Sequence, residues 1–464
     1  MSELIRLFKI TINNKNFWKA VITLIIAFLV YTIIPDSCPE AGKRTAFVFV
    51  VAALFWALEI IPLYATSLVV VVSLILLIAQ PGGPLGLDRG GYKEFLIPFA
   101  SPVIMLFFGG FILAAALHKY NIDSKIAKRL LRVFGKKPVM IMLGFMLTTA
   151  FLSMWMSNTA TTAMMLIMIM PLLGQLKPDD PFKKGLVLAI PFGANIGGVG
   201  TPVGTPPNAI ALGIMSDQGI QINFLTWMIM AVPLVIIMLA ITCFILYFMF
   251  KPQEKELNLE LPPLNKVGWR ARGVIIIALI TIALWLTSGL HKTPEALVAL
   301  IGAGLYFVFG LLDKEDIKHI DWDILVLMWG GLALGQAMEM SGLTEWIVNA
   351  PLFEQHGFLL MTLFCILGVA LSTFMSNTAA ANLLIPVAIS IPGESPIFLA
   401  IAVALSCSFA MALPISTPPN AMAFSTNVIQ SKDMVKAGTL TSIIAIIFVI
   451  FGAKFIIGLV FGIN

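Results

Sequence analysis

The chain has 464 residues, of which 59% are hydrophobic and only 11% charged, and its mean hydropathy is +0.97. Soluble proteins carry about 25% charged residues, so this composition excludes a soluble enzyme or nucleic-acid binder and indicates an all-α polytopic membrane protein. The net charge of +5 then reports orientation in the bilayer and not an acidic partner.

An N-terminal tail and first span occupy 1–43. The apolar run at 18–34 has Lys9 and Lys15 before it and Lys19 at its start, and lacks a small-residue cleavage pattern, so it reads as a retained span and not a signal peptide. Eleven spans are predicted, at 17–34, 44–62, 66–80, 98–117, 184–213, 224–250, 271–287, 293–311, 322–341, 396–427 and 437–460. Two further apolar stretches, 139–175 and 357–391, read as re-entrant hairpins that enter and leave on the same side. With that assignment Lys and Arg crowd the inner segments (the tail, 118–138, 177–184, 251–272, 312–319 and 428–437), leaving Lys43, Arg44, Arg89, Lys93 and Lys292 outside. The positive-inside rule therefore puts the N-terminus in the cytoplasm and the C-terminus outside. Crossing either hairpin once would invert the downstream charge. Ile122, Ile126, Leu130 and Phe134 recur among basic residues in 119–137, the pattern of an amphipathic helix on the inner membrane surface.

The chain repeats itself. Gly109–Gly110 in VIMLFFGGFILAAALHKYNI is matched by Gly330–Gly331 in ILVLMWGGLALGQAMEMSGL. Ser153-x-x-Met156-Ser157-Asn158-Thr159 is matched by Ser372-x-x-Met375-Ser376-Asn377-Thr378. Gly204-Thr205-Pro206-Pro207-Asn208 is matched by Ser416-Thr417-Pro418-Pro419-Asn420, and Pro202 by Pro414. Three blocks in one order at a near-constant offset indicate a duplication. Because the first hairpin opens inside and the second outside, the copies are inverted. Repeat 1 spans 44–250, with the surface helix 119–137, the inner hairpin 139–175 and the broken span 184–213. A cytoplasmic linker follows at 251–270. Repeat 2 spans 271–464, with the outer hairpin 357–391 and the broken span 396–427.

The duplicated motifs bring polar backbone into an apolar setting. Consecutive prolines remove amide donors and clash with the preceding turn, so neither Pro-Pro-Asn helix can continue unbroken. Broken backbone survives at membrane depth only where protein or a watery cavity satisfies it. Such breaks expose amides that attract anions and carbonyls that attract cations. Apart from Lys184 at the very start of the first broken span, neither hairpin core nor broken span holds Arg or Lys, so a carboxylate at the motifs meets hydroxyls, carboxamides and backbone amides. Burying it uncompensated costs several kcal/mol per ion, which bound cations offset; the oxygen-rich donor set suits Na⁺. Glu59, Asp323 and Glu339 lie near span ends outside the duplicated motifs and read as structural. The four cysteines (Cys38, Cys243, Cys365, Cys407) show no metal or redox spacing, and His118, His291, His319 and His356 pair with no ligand at metal spacing. No phosphate-binding loop with Lys is present, and Ser157 and Ser376 lack a base on their own segments, so an enzyme is not expected.

The paired Ser-Asn-Thr signatures, each followed by a Thr-Pro-Pro-Asn break, resemble the divalent anion:sodium symporter family, which includes INDY-type bacterial di- and tricarboxylate transporters. The resemblance implies a homodimer of elevator-type protomers, each with a scaffold and a moving transport domain. Short termini and the lack of a transit-peptide pattern lead to the expectation of a bacterial plasma membrane. It implies one Na⁺ held by Ser153, Ser157, Asn158 and the Gly204 carbonyl, and a second by Ser372, the Met375 carbonyl, Asn377 and Ser416. The substrate would meet Asn158, Thr159, Asn377 and Thr378, with Thr205, Pro206, Thr417 and Pro418 lining the site. Three functions stay open: Na⁺-coupled uptake of C4-type dicarboxylates (succinate, malate, fumarate, with 2-oxoglutarate at the margin), Na⁺-independent dicarboxylate exchange, and inorganic divalent anion transport.

Overall fold

The computed structural model describes residues 15–257, 266–349, 357–390 and 395–461, and every regular element among them is a helix. The chain opens with α1 (Lys15–Ile33), α2 (Glu40–Leu58), α3 (Leu63–Leu77) and α4 (Pro102–Lys119). The short α5 (Ile122–Leu131) then leads into α6 (Pro138–Ser153) and α7 (Asn158–Gln175). Next come α8 (Phe182–Gly198), α9 (Pro206–Asp217) and α10 (Phe224–Met249). The second half contributes α11 (Trp269–Leu286), α12 (Glu295–Val308), α13 (Trp322–Met340) and α14 (Leu343–Val348). It closes with α15 (Gly357–Phe374), α16 (Asn377–Ala388), α17 (Pro396–Ser408), α18 (Pro418–Ser425), α19 (Ser431–Ile447) and α20 (Lys454–Phe461).

Six stretches among the described residues are long and apolar enough to cross a bilayer unbroken: α1, α2, α4, α10, α11 and the run Ser431–Val460. The expected spans 66–80 and 293–311 appear as the shorter helices α3 and α12. The expected span 98–117 starts late, at Pro102. Pro98 interrupts amide donation and holds Ile97–Ala100 in a 3₁₀ turn, and Ser101 then caps α4 through the Ile104 amide. The span 437–460 starts early, at Ser431, where Gln430 and Asp433 form a reciprocal capping box, and passes through a π-helical turn over Phe448–Ala453. The surface helix 119–137 shrinks to α5, bounded by left-handed Asn121 and by Gly135 at φ +69°.

Each hairpin and broken span has a local cause. Ser157 and Ser376 take extended backbone and cap α7 and α16, accepting from the Ala160 and Ala379 amides at 3.2 Å each. Prolines occupy the first turns of α9 and α18, where a missing amide costs nothing and φ is already helical.

The Gly-Gly pairs set the crossings around this core. Gly109 of α4 lies against Ala299 of α12, and Gly330 of α13 against Ser67 of α3; a methyl at either would overlap its neighbour. The second glycine of each pair faces inward: Gly110 meets Val203 between α8 and α9, and Gly331 meets the Asn382 carboxamide of α16. Small residues let helices approach closely where no hydrophobic drive separates protein from lipid. The same pair thus joins one framework helix on one side and the broken elements on the other, in both halves.

Candidate functional site

The broken elements interlock across the two halves. α18 lies along α7 and α8, while α9 lies along α16 and α17. Each Pro-Pro helix of one repeat therefore packs on the hairpin arm that begins with the Asn-Thr pair of the other. One buried side chain ties the halves directly: Asn195 of α8 donates to Thr417 Oγ1 at 3.2 Å and to Asn420 Oδ1 at 3.3 Å.

In the first repeat, the predicted oxygen donors converge on Gly198. Ser153 Oγ donates to Asn158 Oδ1 at 2.5 Å. A methyl placed on Gly198 would collide with Asn158 Oδ1 and touch the Gly204 carbonyl, while one on Gly204 would overlap the Gly198 carbonyl. Ser153, Asn158 and Gly204 are thus neighbours because two glycines leave room. Ser157, expected as a fourth ligand, uses its oxygen to cap α7.

In the second repeat the counterparts have different partners. Ser416 Oγ donates to the Thr373 carbonyl at 3.0 Å and accepts from the Leu413 amide at 3.2 Å, pinning the 409–417 loop to the second hairpin. Met375 is buried. Among the described residues Asn377 Oδ1 is enclosed without a hydrogen-bond partner, and Ser372 Oγ is enclosed with no nitrogen or oxygen partner, beside the buried Cys407 thiol. An orphaned enclosed oxygen is costly, and each is an open acceptor of the kind a hard cation takes. The donor chemistry therefore fits Na⁺ on this side as well.

Burial divides the substrate-side residues. Thr205 and Thr417 are buried, Pro206 is half-buried and Pro418 exposed. Asn158 and Asn377 are both half-buried. Thr159 is exposed, whereas Thr378 is 8% exposed. No hydrogen bond among the described residues joins the Asn158–Thr159 pair to the Asn377–Thr378 pair. The cross-packed helices α9 and α18 link the two hairpins.

Four contributors fall outside the predicted set. Asn208, fully buried, donates to the carbonyls of Gly198, Val199 and Thr201, and Asn420 donates to those of Met411 and Leu413. These carboxamides satisfy carbonyls freed by unwinding and so hold each loop open. Their signal was visible, since each ends a duplicated Pro-Pro-Asn motif. Gly198 carried a weaker signal in its Gly-Gly pair. Asn195 has no counterpart in the second repeat, where the equivalent region reads Ser-Cys-Ser, so no duplication pointed to it.

Two cavities approach the core from opposite ends of α4 and α13. One of about 300 Å³ touches the end of α4 at His118 and Lys119 and the approach to α13 at His319 and Asp321, and reaches the first hairpin tip at Met156, Ser157 and Ala160. Lys119 bridges Asp313 and Asp316 at 3.1 and 2.6 Å along its rim. The Glu315 amide and then Lys119 hold the Asp313 carboxyl below its ordinary range, while burial and then Asp323 push Asp321 up. The other cavity, of about 700 Å³, opens between the start of α4, the end of α13 and the end of α9, with Asp217, Glu339 and Glu345 on its wall. It touches the second hairpin at Pro386, Ile389 and Ser390, at the far end of α16 from its tip.

Comparison with known proteins places this arrangement. Residues 14–461 match the family described as the sodium:sulfate symporter transmembrane region. The chain is similar to an uncharacterized transporter of Haemophilus influenzae, 33% identical over 464 residues and covering 94% of this chain and 96% of that one. It is similar to the sodium-dependent dicarboxylate transporter SdcS of Staphylococcus saprophyticus (31% identical over 471 residues, covering 93% and 89%) and of Staphylococcus aureus USA300 (29% over 478, covering 93% and 89%). Among solved structures, the YdaH transporter of Alcanivorax borkumensis aligns with a TM-score of 0.56 at 14% identity, covering 90% of this chain and 99% of that one, a likeness of fold alone.

Proposed function

The chain belongs to the sodium:sulfate symporter family and is a multi-pass membrane transporter, and from that premise we propose that it carries C4-type dicarboxylates into a bacterial cell together with Na⁺. The observation that carries this reading is the presence, at the starts of α7 and α16, of matched oxygen donors, those around Gly198 in the first repeat and the enclosed Ser372 and Asn377 oxygens in the second. The relatives lend support, since SdcS is a sodium-dependent dicarboxylate transporter.

One Na⁺ would sit among Ser153, Asn158 and the Gly204 carbonyl, with Ser157 at its edge. A second would sit among Ser372, Asn377, Ser416 and the Met375 carbonyl. Each cation lowers the cost of burying the carboxylates, and the anion lowers the cost of each cation, so their affinities are linked in both directions. Asn158, Thr159, Asn377 and Thr378 would contact the substrate, and Thr205, Pro206, Thr417 and Pro418 would bound it. The pieces that carry these residues, α6–α10 and α15–α20, would move as one body against α1–α4 and α11–α14, in a homodimer. The cavity that reaches Ser157 favours the state open to the side of His118 and Lys119, which the basic-residue distribution makes the cytoplasm.

Uptake of labelled succinate into liposomes tests coupling. Uptake that vanishes when choline replaces Na⁺, without internal substrate, is the expected result. Uptake that needs preloaded dicarboxylate and ignores Na⁺ would make the chain an exchanger. Competition by sulfate would move it to the inorganic anions named in the family description.

A further inference from the structure

Away from the duplicated motifs, one groove combines apolar walls with unpaired positive charge. About 180 Å³ in volume, it lies between α5 and the start of α11. Ile126 and Leu130 of α5 and Ile275 of α11 form its apolar surface, and Lys125 and Arg129 stand beside them. Those two cations are four residues apart, so they share one helical face. Neither is in an ion pair or side-chain hydrogen bond among the described residues, unlike Lys119, Lys177 and Lys184, which all meet carboxylates.

The depth of the groove is set by α11. That helix begins with Trp269 and Arg270, the indole is 75% exposed, and the guanidinium lies 5.4 Å from its ring centre. Exposed Trp and Arg at a helix end mark the interface between headgroups and hydrocarbon. A soluble anion would use the cations and leave the apolar cleft empty. A zwitterionic lipid would fill the cleft and gain little from two cations. We propose that this groove binds a phospholipid with an anionic head group, the phosphate between Lys125 and Arg129 and an acyl chain against Ile126 and Ile275. Because α5 packs on both α4 and α6, the bound lipid rests on the connector that enters the first hairpin.

Native mass spectrometry of the full chain in mild detergent, titrated with phosphatidylglycerol or phosphatidylethanolamine, tests the site. The Lys125→Gln/Arg129→Gln variant is expected to retain phosphatidylglycerol roughly thirtyfold less well, the change that two surface cations at about 1 kcal/mol each produce. Its retention of phosphatidylethanolamine stays as in the parent. Ile275→Trp fills the cleft with both charges intact and is expected to weaken phosphatidylglycerol as well. Lys128→Gln, on the same helix but outside the groove, changes nothing. Equal retention by parent and double variant overturns the proposal, as does equal preference for the two lipids. A Lys128→Gln effect as large as that of the pair would also overturn it, by reducing the site to diffuse surface charge.

Discussion

The two hairpin tips carry the same Ser-Asn-Thr sequence and the same serine cap, yet their surroundings differ. At the first tip Asn158 is engaged by Ser153, Thr159 is exposed, Ala160 is exposed, and a cavity leads to Ser157. At the second, Thr378 and Ala379 are buried and the Asn377 and Ser372 oxygens are enclosed without nitrogen or oxygen partners among the described residues. Equal sequence with unequal exposure is what the proposed alternating access requires of an inverted pair caught in one of its states. The sequence sets the chemistry of each tip, and packing across the halves, with α9 on α16 and α18 on α7, accompanies the difference in burial.

That comparison can be broken most severely at the asparagines. Asn158→Ala and Asn377→Ala would each remove a proposed cation ligand and substrate contact, so labelled succinate uptake should fall by roughly 100-fold in both. Near-normal uptake in one alone would strip that tip of its role. A milder change, Gly204→Ala, pushes a methyl into the Gly198 carbonyl and forces the loop to shift. A cost of about 1–2 kcal/mol predicts roughly tenfold weaker Na⁺ activation of uptake. The exposure difference itself is read by thiol labelling, since the four native cysteines are all buried. A membrane-impermeant maleimide should modify Thr159→Cys at least about tenfold faster than Thr378→Cys in purified protein, because local opening must precede modification of the buried site. Equal rates would remove the asymmetry. The smallest effect is expected from Ser157→Ala and Ser376→Ala, where loss of a helix cap costs about 1 kcal/mol and lowers the melting temperature by a few degrees.

Much of this was legible beforehand because the duplication made it so. Matched prolines located both broken helices, and matched Ser-Asn-Thr signatures located both tips. The helix ends were less legible. Pro98 delayed α4, and the capping pair Gln430 and Asp433 moved the start of α19 outward. Asn195 escaped because it stands in one repeat only, and its partners Thr417 and Asn420 lie more than 200 residues away in sequence. The enclosure of Ser372 and Asn377, and the exposure of Thr159, depend on cross-repeat packing that no local pattern encodes. The expected outer hairpin 357–391 extends at its final residue beyond the described residues, which resume at 395.

Equilibrium binding of labelled succinate to the purified protein, measured across a series of Na⁺ concentrations, bears most directly on whether two mirrored oxygen clusters hold one anion. Succinate affinity should rise with Na⁺ in the parent and be lost in both Asn158→Ala and Asn377→Ala. Affinity that ignores Na⁺, or that survives intact in either variant, would contradict the account.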